Sequence, residues 1–228
     1  MSSAKPSRRV EHEQPVTVTT GLVTLRGILG LPEKPRGVVL FAHGSGSGRL
    51  SPRNTFVART LQEGGLATLL LDLLEEQEAE DRRKVFDIDL LADRLLAATD
   101  WLSQHPATRG LRLGYFGAST GAGAALQAAA RSPESVSAVV SRGGRPDLAA
   151  PYLPKVTAPT LLIVGELDVQ VIGMNQGALA LLTCPKKLVI VPGATHLFEE
   201  PGALERVAEL ALRWFRRHLS PDSGGGAF

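Results

Sequence analysis

One serine of the sequence stands between glycines at a point where a strand is predicted to end. In GYFGASTGAG, residues 114–123, Ser119 follows an apolar run and precedes an alanine-rich run. Two residues that could act with it come later: Asp168 ends the run LLIVGELD, and His196 follows the run VIVPGATH. A serine hydroxyl becomes a nucleophile when a histidine takes its proton and a carboxylate orients that histidine. The three residues therefore predict nucleophilic catalysis, with Ser119 as nucleophile, His196 as base and Asp168 as orienting acid.

Each of these residues also has a structural interpretation. Ser119 could cap the helix that follows it by accepting hydrogen bonds from backbone N–H groups. His196 could be an exposed loop histidine, since the chain contains five histidines. Glu166, two residues before Asp168, and Asp72, which ends another apolar run, compete for the role of orienting acid.

A serine hydrolase also needs two backbone donors for the oxyanion that forms on the substrate. One would be the N–H of Thr120, the residue after the nucleophile. The other is assigned to the N–H of Ser45 in AHGSGSGR, residues 42–49, where the glycines let the backbone approach a substrate. His43 is expected to hold this oxyanion loop rather than to act as a second base.

Two arginines follow another predicted strand in SRGGRPDL, residues 141–148. A guanidinium group binds a carboxylate through two parallel hydrogen bonds, so Arg142 and Arg145 could hold a carboxylate of the substrate. An ion pair with Asp147 or Asp72 is an equally good interpretation of either arginine.

Strand-like and helix-like segments alternate along the chain. Strands are predicted at residues 15–19, 22–29, 37–44, 66–74, 111–117, 136–144, 160–168 and 186–193, and helices at about 53–63, 87–103, 120–130, 171–182 and 202–218. The acidic run 75–81 is interpreted as a solvated loop whose first glutamates border the site. Such alternation predicts an α/β domain with a mostly parallel eight-stranded sheet and helices on both faces. Ligands bind beyond the carboxyl ends of such strands, where Ser119, Asp168 and His196 all lie.

The predicted domain covers residues 15–219, with a disordered extension at residues 1–14 and a flexible tail at 220–228. Many related folds carry a cap between the sixth and seventh strands. Here only residues 145–159 are available, and four prolines interrupt them. We therefore expect no cap domain, an open site, and small soluble esters or lactones as substrates.

Composition excludes several classes of protein. The 25 basic and 23 acidic residues are mixed along the chain, so neither a nucleic-acid partner nor a membrane surface is expected. The single cysteine, Cys184, and the lack of a secretory signal predict a cytoplasmic location. No His, Cys, Asp or Glu cluster has metal-ligand spacing, so no metal and no cofactor are expected. Whether the chain forms a homo-oligomer is left open.

Together these motifs resemble a known family. FAHGSGSGR, LLLDLL, GYFGASTGAG, VVSRGGRPDL, LLIVGELD and VPGATHLFEEPGAL are similar to the dienelactone-hydrolase-like branch of the α/β-hydrolase superfamily, over about residues 20–218. The order serine, aspartate, histidine along the chain is that of this superfamily. The resemblance implies the α/β-hydrolase fold and the same roles for Ser119, Asp168, His196, Ser45 and Thr120. Dienelactone hydrolases use a cysteine where this chain has Ser119, so the resemblance implies ester hydrolysis more securely than a lactone substrate.

These features predict a serine esterase that works through an acyl-enzyme. Two alternatives are kept: acyl transfer to peroxide or another acceptor by the same triad, and a hydrolase-fold module that binds ligands without turnover. Some similar hydrolase sequences are joined to a phosphoribosyltransferase domain, and no such domain is expected within these 228 residues.

Overall fold

A computed structural model describes residues 12–220 of the chain. Within this range the chain forms eight strands: β1 (His12–Thr20), β2 (Val23–Leu31), β3 (Val38–Ala42), β4 (Ala67–Leu71), β5 (Leu113–Ala118), β6 (Val136–Arg142), β7 (Thr160–Gly165) and β8 (Lys186–Val191). Every residue of β3, β4, β5 and β7 is buried. These four strands are short apolar runs covered on both faces, as expected for the middle of a parallel sheet.

The same range contains seven α-helices: α1 (Pro52–Glu63), α2 (Glu76–Ala79), α3 (Arg82–Val85), α4 (Ile88–Gln104), α5 (Thr120–Arg131), α6 (Val169–Leu181) and α7 (Ala203–Leu219). A 3₁₀ segment, Pro146–Lys155, lies between β6 and β7. None of the helices between residues 12 and 220 is long and apolar enough to span a bilayer.

The strands form one sheet in the order β1-β2-β4-β3-β5-β6-β7-β8. β2 pairs antiparallel with both β1 and β4, and the other five pairs are parallel. The carboxyl ends of β3 to β8 therefore lie along one edge of the sheet. This is the edge at which a parallel sheet binds its ligands.

Two apolar layers cover the faces of the sheet. On one face α1 and α7 pack with Val57, Val207 and Phe215 against β3, β5 and β7. On the other face α4, α5 and α6 pack with Leu95, Leu126 and other buried residues. The mostly parallel eight-stranded sheet with helices on both faces is confirmed, as is the lack of a cap domain within the described residues.

The ends of some elements differ from the sequence prediction. Residues 12–14 belong to β1, so the predicted disordered extension at 1–14 is wrong for these three residues. The rest of that extension and residues 221–228 of the tail lie outside the described range. The acidic run 75–81 is not simply a loop, because it contains α2 and ends at Asp81, which caps α3.

Candidate active site

Ser119 lies at the sharp turn between β5 and α5. Its φ and ψ angles are 50° and −123°, a backbone conformation that residues with a side chain rarely adopt. Its N–H donates to the carbonyl of Arg142 at 3.3 Å, and its own carbonyl accepts from the N–H groups of Ala122 and Arg145. The hydrogen bonds hold a strained turn that presents the Ser119 side chain at the carboxyl edge of the sheet.

Two glycines permit this turn because the backbones approach too closely for a side chain. A Cβ at Gly121 would lie 2.3 Å from the carbonyl oxygen of Ala42 and 2.5 Å from that of His43. A Cβ at Gly117 would lie 2.4 Å from the Cα of Ala122. The glycines of the sequence motif therefore bring the start of α5 against the end of β3.

His196 and Asp168 come from the loops that follow β8 and β7. The Nδ1 atom of His196 lies 2.6 Å from Oδ2 of Asp168. With the proton placed on Nδ1, the carboxylate accepts this hydrogen bond, and Nε2 is the nitrogen left to act as a base. The predicted base and orienting acid thus form a hydrogen-bonded pair, although they are 28 positions apart in the sequence.

The imidazole ring of His196 lies against the end of β6, beside the serine turn. A Cβ at Gly143 would be 3.4 Å from Cε1 of His196, and Gly143 directly follows Arg142, whose carbonyl accepts the Ser119 N–H. No hydrogen bond joins Ser119 Oγ to His196 in the structure of residues 12–220. Such bonds are often long in ligand-free enzymes and tighten when substrate binds.

The two competing carboxylates are engaged elsewhere. Glu166 accepts a hydrogen bond from the N–H of Gly193 at 2.8 Å. Asp72 accepts from the N–H of Arg49 at 2.6 Å and forms an ion pair with the guanidinium of the same residue. Neither contacts His196, so Asp168 is the carboxylate that meets the geometric requirement for the orienting acid.

The predicted oxyanion loop packs directly against the serine turn. A Cβ at Gly44 would lie 3.0 Å from the Cβ of Ser119. The N–H of Ser45 donates to Oγ1 of Thr120 at 3.1 Å. The N–H of Thr120 is the first amide of α5, which has no acceptor within the helix. The two amides assigned to the oxyanion therefore belong to residues that touch, and the Ser45 amide is bonded to the buried hydroxyl of Thr120.

His43 connects the oxyanion loop to the end of β4. Its Nδ1 donates to the carbonyl of Gly44 at 3.0 Å, and its Nε2 accepts from the N–H of Leu73 at 2.9 Å. Burial lowers the pKa of His43, against the opposing influence of the Gly44 bond and of Asp72. A neutral His43 that braces the oxyanion loop agrees with the structural role predicted from the sequence.

The two arginines after β6 have different environments. Arg145 forms a bidentate pair with Asp147, at 2.9 Å from Nε and 2.8 Å from Nη2, which is the alternative role considered for it. Arg142 is buried, and its only side-chain hydrogen bond is a long one of 3.5 Å to Oδ1 of Asn54. Burial, together with Arg53, lowers the pKa of Arg142 to about 10. Among the described residues its Nε and Nη1 are buried and have no hydrogen-bond partner, and a substrate contact by Arg142 stays a prediction.

Two features of this region escape sequence reasoning. The first is the Thr120 hydroxyl, which was expected to contribute only its backbone N–H. The second is the segment 74–91, which lines a small cavity beside Ser45 and Thr120. The sequence signal for this cavity wall is the presence of three apolar residues, Leu74, Val85 and Leu91, in an otherwise charged stretch. Between residues 12 and 220, no group of three or more His, Cys, Asp or Glu side chains could hold a metal ion.

The chain is similar to proteins of a known family. Residues 25–219 match the model of the dienelactone hydrolase family. Proteins from strains CDC 1551 / Oshkosh and H37Rv of Mycobacterium tuberculosis, each provisionally named a phosphoribosyl transferase, are 58% identical to the chain over 225 residues. These residues are 99% of this chain and 50% of each relative, so the chain spans about half the length of the curated relatives it matches.

Solved structures show the same architecture. A dienelactone hydrolase from Anabaena variabilis ATCC 29413 is 59% identical, with a TM-score of 0.90 over 92% of this chain and 100% of that chain. Est1E from Butyrivibrio proteoclasticus is 18% identical, with a TM-score of 0.74 over 89% of this chain and 99% of that chain, and so shares the fold. The chain therefore belongs to the dienelactone hydrolase family and has the α/β-hydrolase fold.

Proposed function

We propose that this protein is a serine hydrolase that cleaves small carboxylic esters or lactones through an acyl-enzyme intermediate. The observation that carries the proposal is the pairing of a strained serine turn, with φ of 50° at Ser119, and the 2.6 Å bond between Asp168 and His196 at the same edge of the sheet. Strain of this kind is retained where the surrounding structure fixes it, most often at functional sites.

In the proposed reaction, Ser119 Oγ attacks the carbonyl carbon while Nε2 of His196 takes its proton. Asp168 stabilises the imidazolium that forms, and the N–H groups of Ser45 and Thr120 bind the oxyanion. His196 then donates the proton to the leaving alcohol, which departs and leaves Ser119 acylated. A water molecule deprotonated by His196 attacks the acyl carbon, and His196 returns that proton to Ser119 Oγ as the acid is released.

The choice of a small ester rests on two points. The segment between β6 and β7 is only a 3₁₀ stretch, so no helical cap encloses the site. Ser119 stands where dienelactone hydrolases carry a cysteine, and an alkoxide generated by a neighbouring base suits simple esters as well as lactones. The cytoplasmic location predicted from the sequence belongs to this proposal as well.

The test is the kinetics of p-nitrophenyl acetate hydrolysis by the wild type and the Ser119→Ala variant. We expect a burst of p-nitrophenol stoichiometric with the wild-type enzyme and its loss in the variant. A matched control is Ser137→Ala, at the opposite end of β6, which should keep the burst. Offering hydrogen peroxide beside water distinguishes hydrolysis from acyl transfer to peroxide. A folded wild type without any burst would contradict the proposal and favour the binding-module alternative.

A further inference from the structure

A small cavity lies directly beside the proposed oxyanion site. It has a volume of about 120 Å³ and is lined by residues 43–47 of the oxyanion loop and by Thr120. Its opposite wall is apolar and comes from the chain between β4 and the first turns of α4, with Leu74, Ala79, Val85 and Leu91. The cavity therefore joins the polar groups that would bind the carbonyl oxygen to an apolar surface that could receive a hydrocarbon group.

The position of the cavity decides which part of an ester it can hold. The leaving alcohol must lie beside His196, because that residue donates the proton on departure. The lining of the cavity includes neither Ser119 nor His196, but it includes Ser45, Thr120 and Gly44, whose backbone packs against Ser119. From this arrangement, and resting on the serine hydrolase function proposed above, we infer that the cavity is the acyl pocket and that Ala79 and Val85 limit the acyl chain to short lengths.

The size of the cavity limits the length of the acyl chain that it can hold. Its volume of about 120 Å³ equals that of roughly four water molecules at about 30 Å³ each. Acetyl to butyryl groups therefore fit, and longer chains meet the apolar wall.

A larger cavity of about 720 Å³ shares His43, Ser47, Leu74 and Ala79 with this pocket. Its lining is charged, with Arg26, Arg49, Asp72, Glu75, Glu76 and Glu80. An acyl chain that extended past the wall would bury methylene groups among these charges, and would gain little from leaving water.

The wall is fixed in place by ion pairs rather than left as a loose loop. Oε1 of Glu78, on α2, lies 3.1 Å from Nζ of Lys84 and 3.2 Å from Nη2 of Arg94 on α4. The N–H of Thr24 at the start of β2 donates to Oε1 of Glu75 at 2.9 Å. These contacts bind α2 to the hairpin on one side and to α4 on the other. The cavity therefore has a defined width, which is required for discrimination between chain lengths.

The test uses p-nitrophenyl esters from acetate to octanoate, which vary only the acyl group, and acetate esters of several alcohols. In Val85→Ala the wall is cut back, and we expect kcat/KM for hexanoate relative to acetate to rise about tenfold, the usual effect of one methylene or more in an apolar pocket. In Ala79→Leu the larger side chain fills the pocket, and kcat/KM for butyrate relative to acetate should fall about tenfold. Relative rates across the alcohol series should stay constant in both variants.

The control is Val189→Ala, a half-buried valine on the edge strand β8 that does not line the cavity. It should keep the wild-type chain-length profile. The inference is overturned if folded Val85→Ala keeps the wild-type acyl profile, or if the two pocket variants change the alcohol series instead. A folded wild type that shows no acyl-enzyme burst would contradict the proposed function itself, and with it the assignment of the acyl pocket. A burst with unchanged acyl selectivity in the variants would remove the acyl pocket alone.

Discussion

At the scale of single residues, the proposed chemistry depends on how closely α5 approaches β3. Replacement of Gly121 by alanine tests this, because the new Cβ would lie 2.3 Å from one backbone oxygen and 2.5 Å from another. Backbone cannot move aside as a flexible side chain does, so we expect the serine turn to shift and kcat to fall about 100-fold or more. Esterase assays and thermal unfolding measure the two consequences.

The matched control is Gly177→Ala on α6, where a Cβ would meet nothing within 4 Å. Alanine is the better helix former, so this variant should be stabilised by about 0.5–1 kcal/mol with unchanged activity. Full activity in Gly121→Ala would mean that the turn does not position the nucleophile.

The partner of His196 can be identified by a pair of amide substitutions. Asp168→Asn keeps the shape of the side chain but favours the wrong tautomer of His196, and we expect kcat to fall by a factor of about 10³–10⁴. Glu166→Gln should have little effect, because its partner is the N–H of Gly193 and an amide oxygen still accepts that bond. Equal losses in the two variants would contradict the assignment of Asp168.

His43 makes stability depend on pH in a defined direction. Burial lowers its pKa below the ordinary value of 6.5, so the unfolded chain binds a proton more readily than the folded one. The contribution of neutral His43 to the free energy of unfolding is therefore fully present above about pH 6.5. It is lost as the pH falls from there toward the pKa of His43 in the folded protein. We expect His43→Gln to lose less stability than the wild type between pH 8 and pH 5, as measured by urea unfolding.

Burial also lowers the pKa of His218, which has the same sign and remains in both proteins. The comparison therefore isolates His43. Identical pH profiles for the wild type and His43→Gln would show that His43 is not held neutral by the fold.

At the scale of elements, α2 is held in place mainly by charged side chains, whereas α3 also packs the partly buried Val85 against the apolar core. Neither helix contains a buried residue. Burial by itself raises the pKa of Glu78. The hydrogen bond from the Glu75 N–H and the pairs with Lys84 and Arg94 outweigh this effect, so the pKa of Glu78 lies below its ordinary value. The ionised carboxylate therefore stabilises the segment at neutral pH.

Glu78→Gln would leave the guanidinium of Arg94, which is only 9% exposed, without its carboxylate. We expect a loss of about 1–2 kcal/mol in the free energy of unfolding, less than for a fully buried pair because Lys84 is open to water. Asp93→Asn is the matched control on α4. The ion pair between Asp93 and Arg131 is exposed, so its loss should change the free energy of unfolding by no more than about 0.5 kcal/mol. Equal effects in urea unfolding would show that the Glu78 cluster does not hold α2 in place.

The predicted strands overlap the observed ones, but several of them extend past the carboxyl end of the observed strand. Residues 43–44, 72–74, 143–144 and 166–168 were assigned to strands but lie in loops. Residues 43–44, 72–74 and 143–144 are buried or half-buried, which a sequence pattern cannot distinguish from burial within a strand, whereas Glu166 and Leu167 are exposed. Periodicity detects burial and not the hydrogen bonding of a ladder, so it cannot find where a strand ends.

At the scale of the whole molecule, the sheet and the meeting of Ser119, Asp168 and His196 at one edge could be predicted from the sequence. Both follow from strand order and from residue types at strand ends, which are local signals. The contact of Ser45 with Thr120 and the Glu78 cluster could not be predicted, since they join residues brought together only by the folded chain. The environment of Arg142 depends in the same way on α1, far away in sequence.

The central claim is that Ser119 is an activated nucleophile, and covalent labelling measures this most directly. The wild type and Ser119→Ala are treated with a small organophosphate, and the modified residue is located by mass spectrometry of peptides. We expect one phosphoryl group per chain, carried by Ser119, and none in the variant. Labelling at another residue, or no labelling of a folded wild type, would contradict the claim.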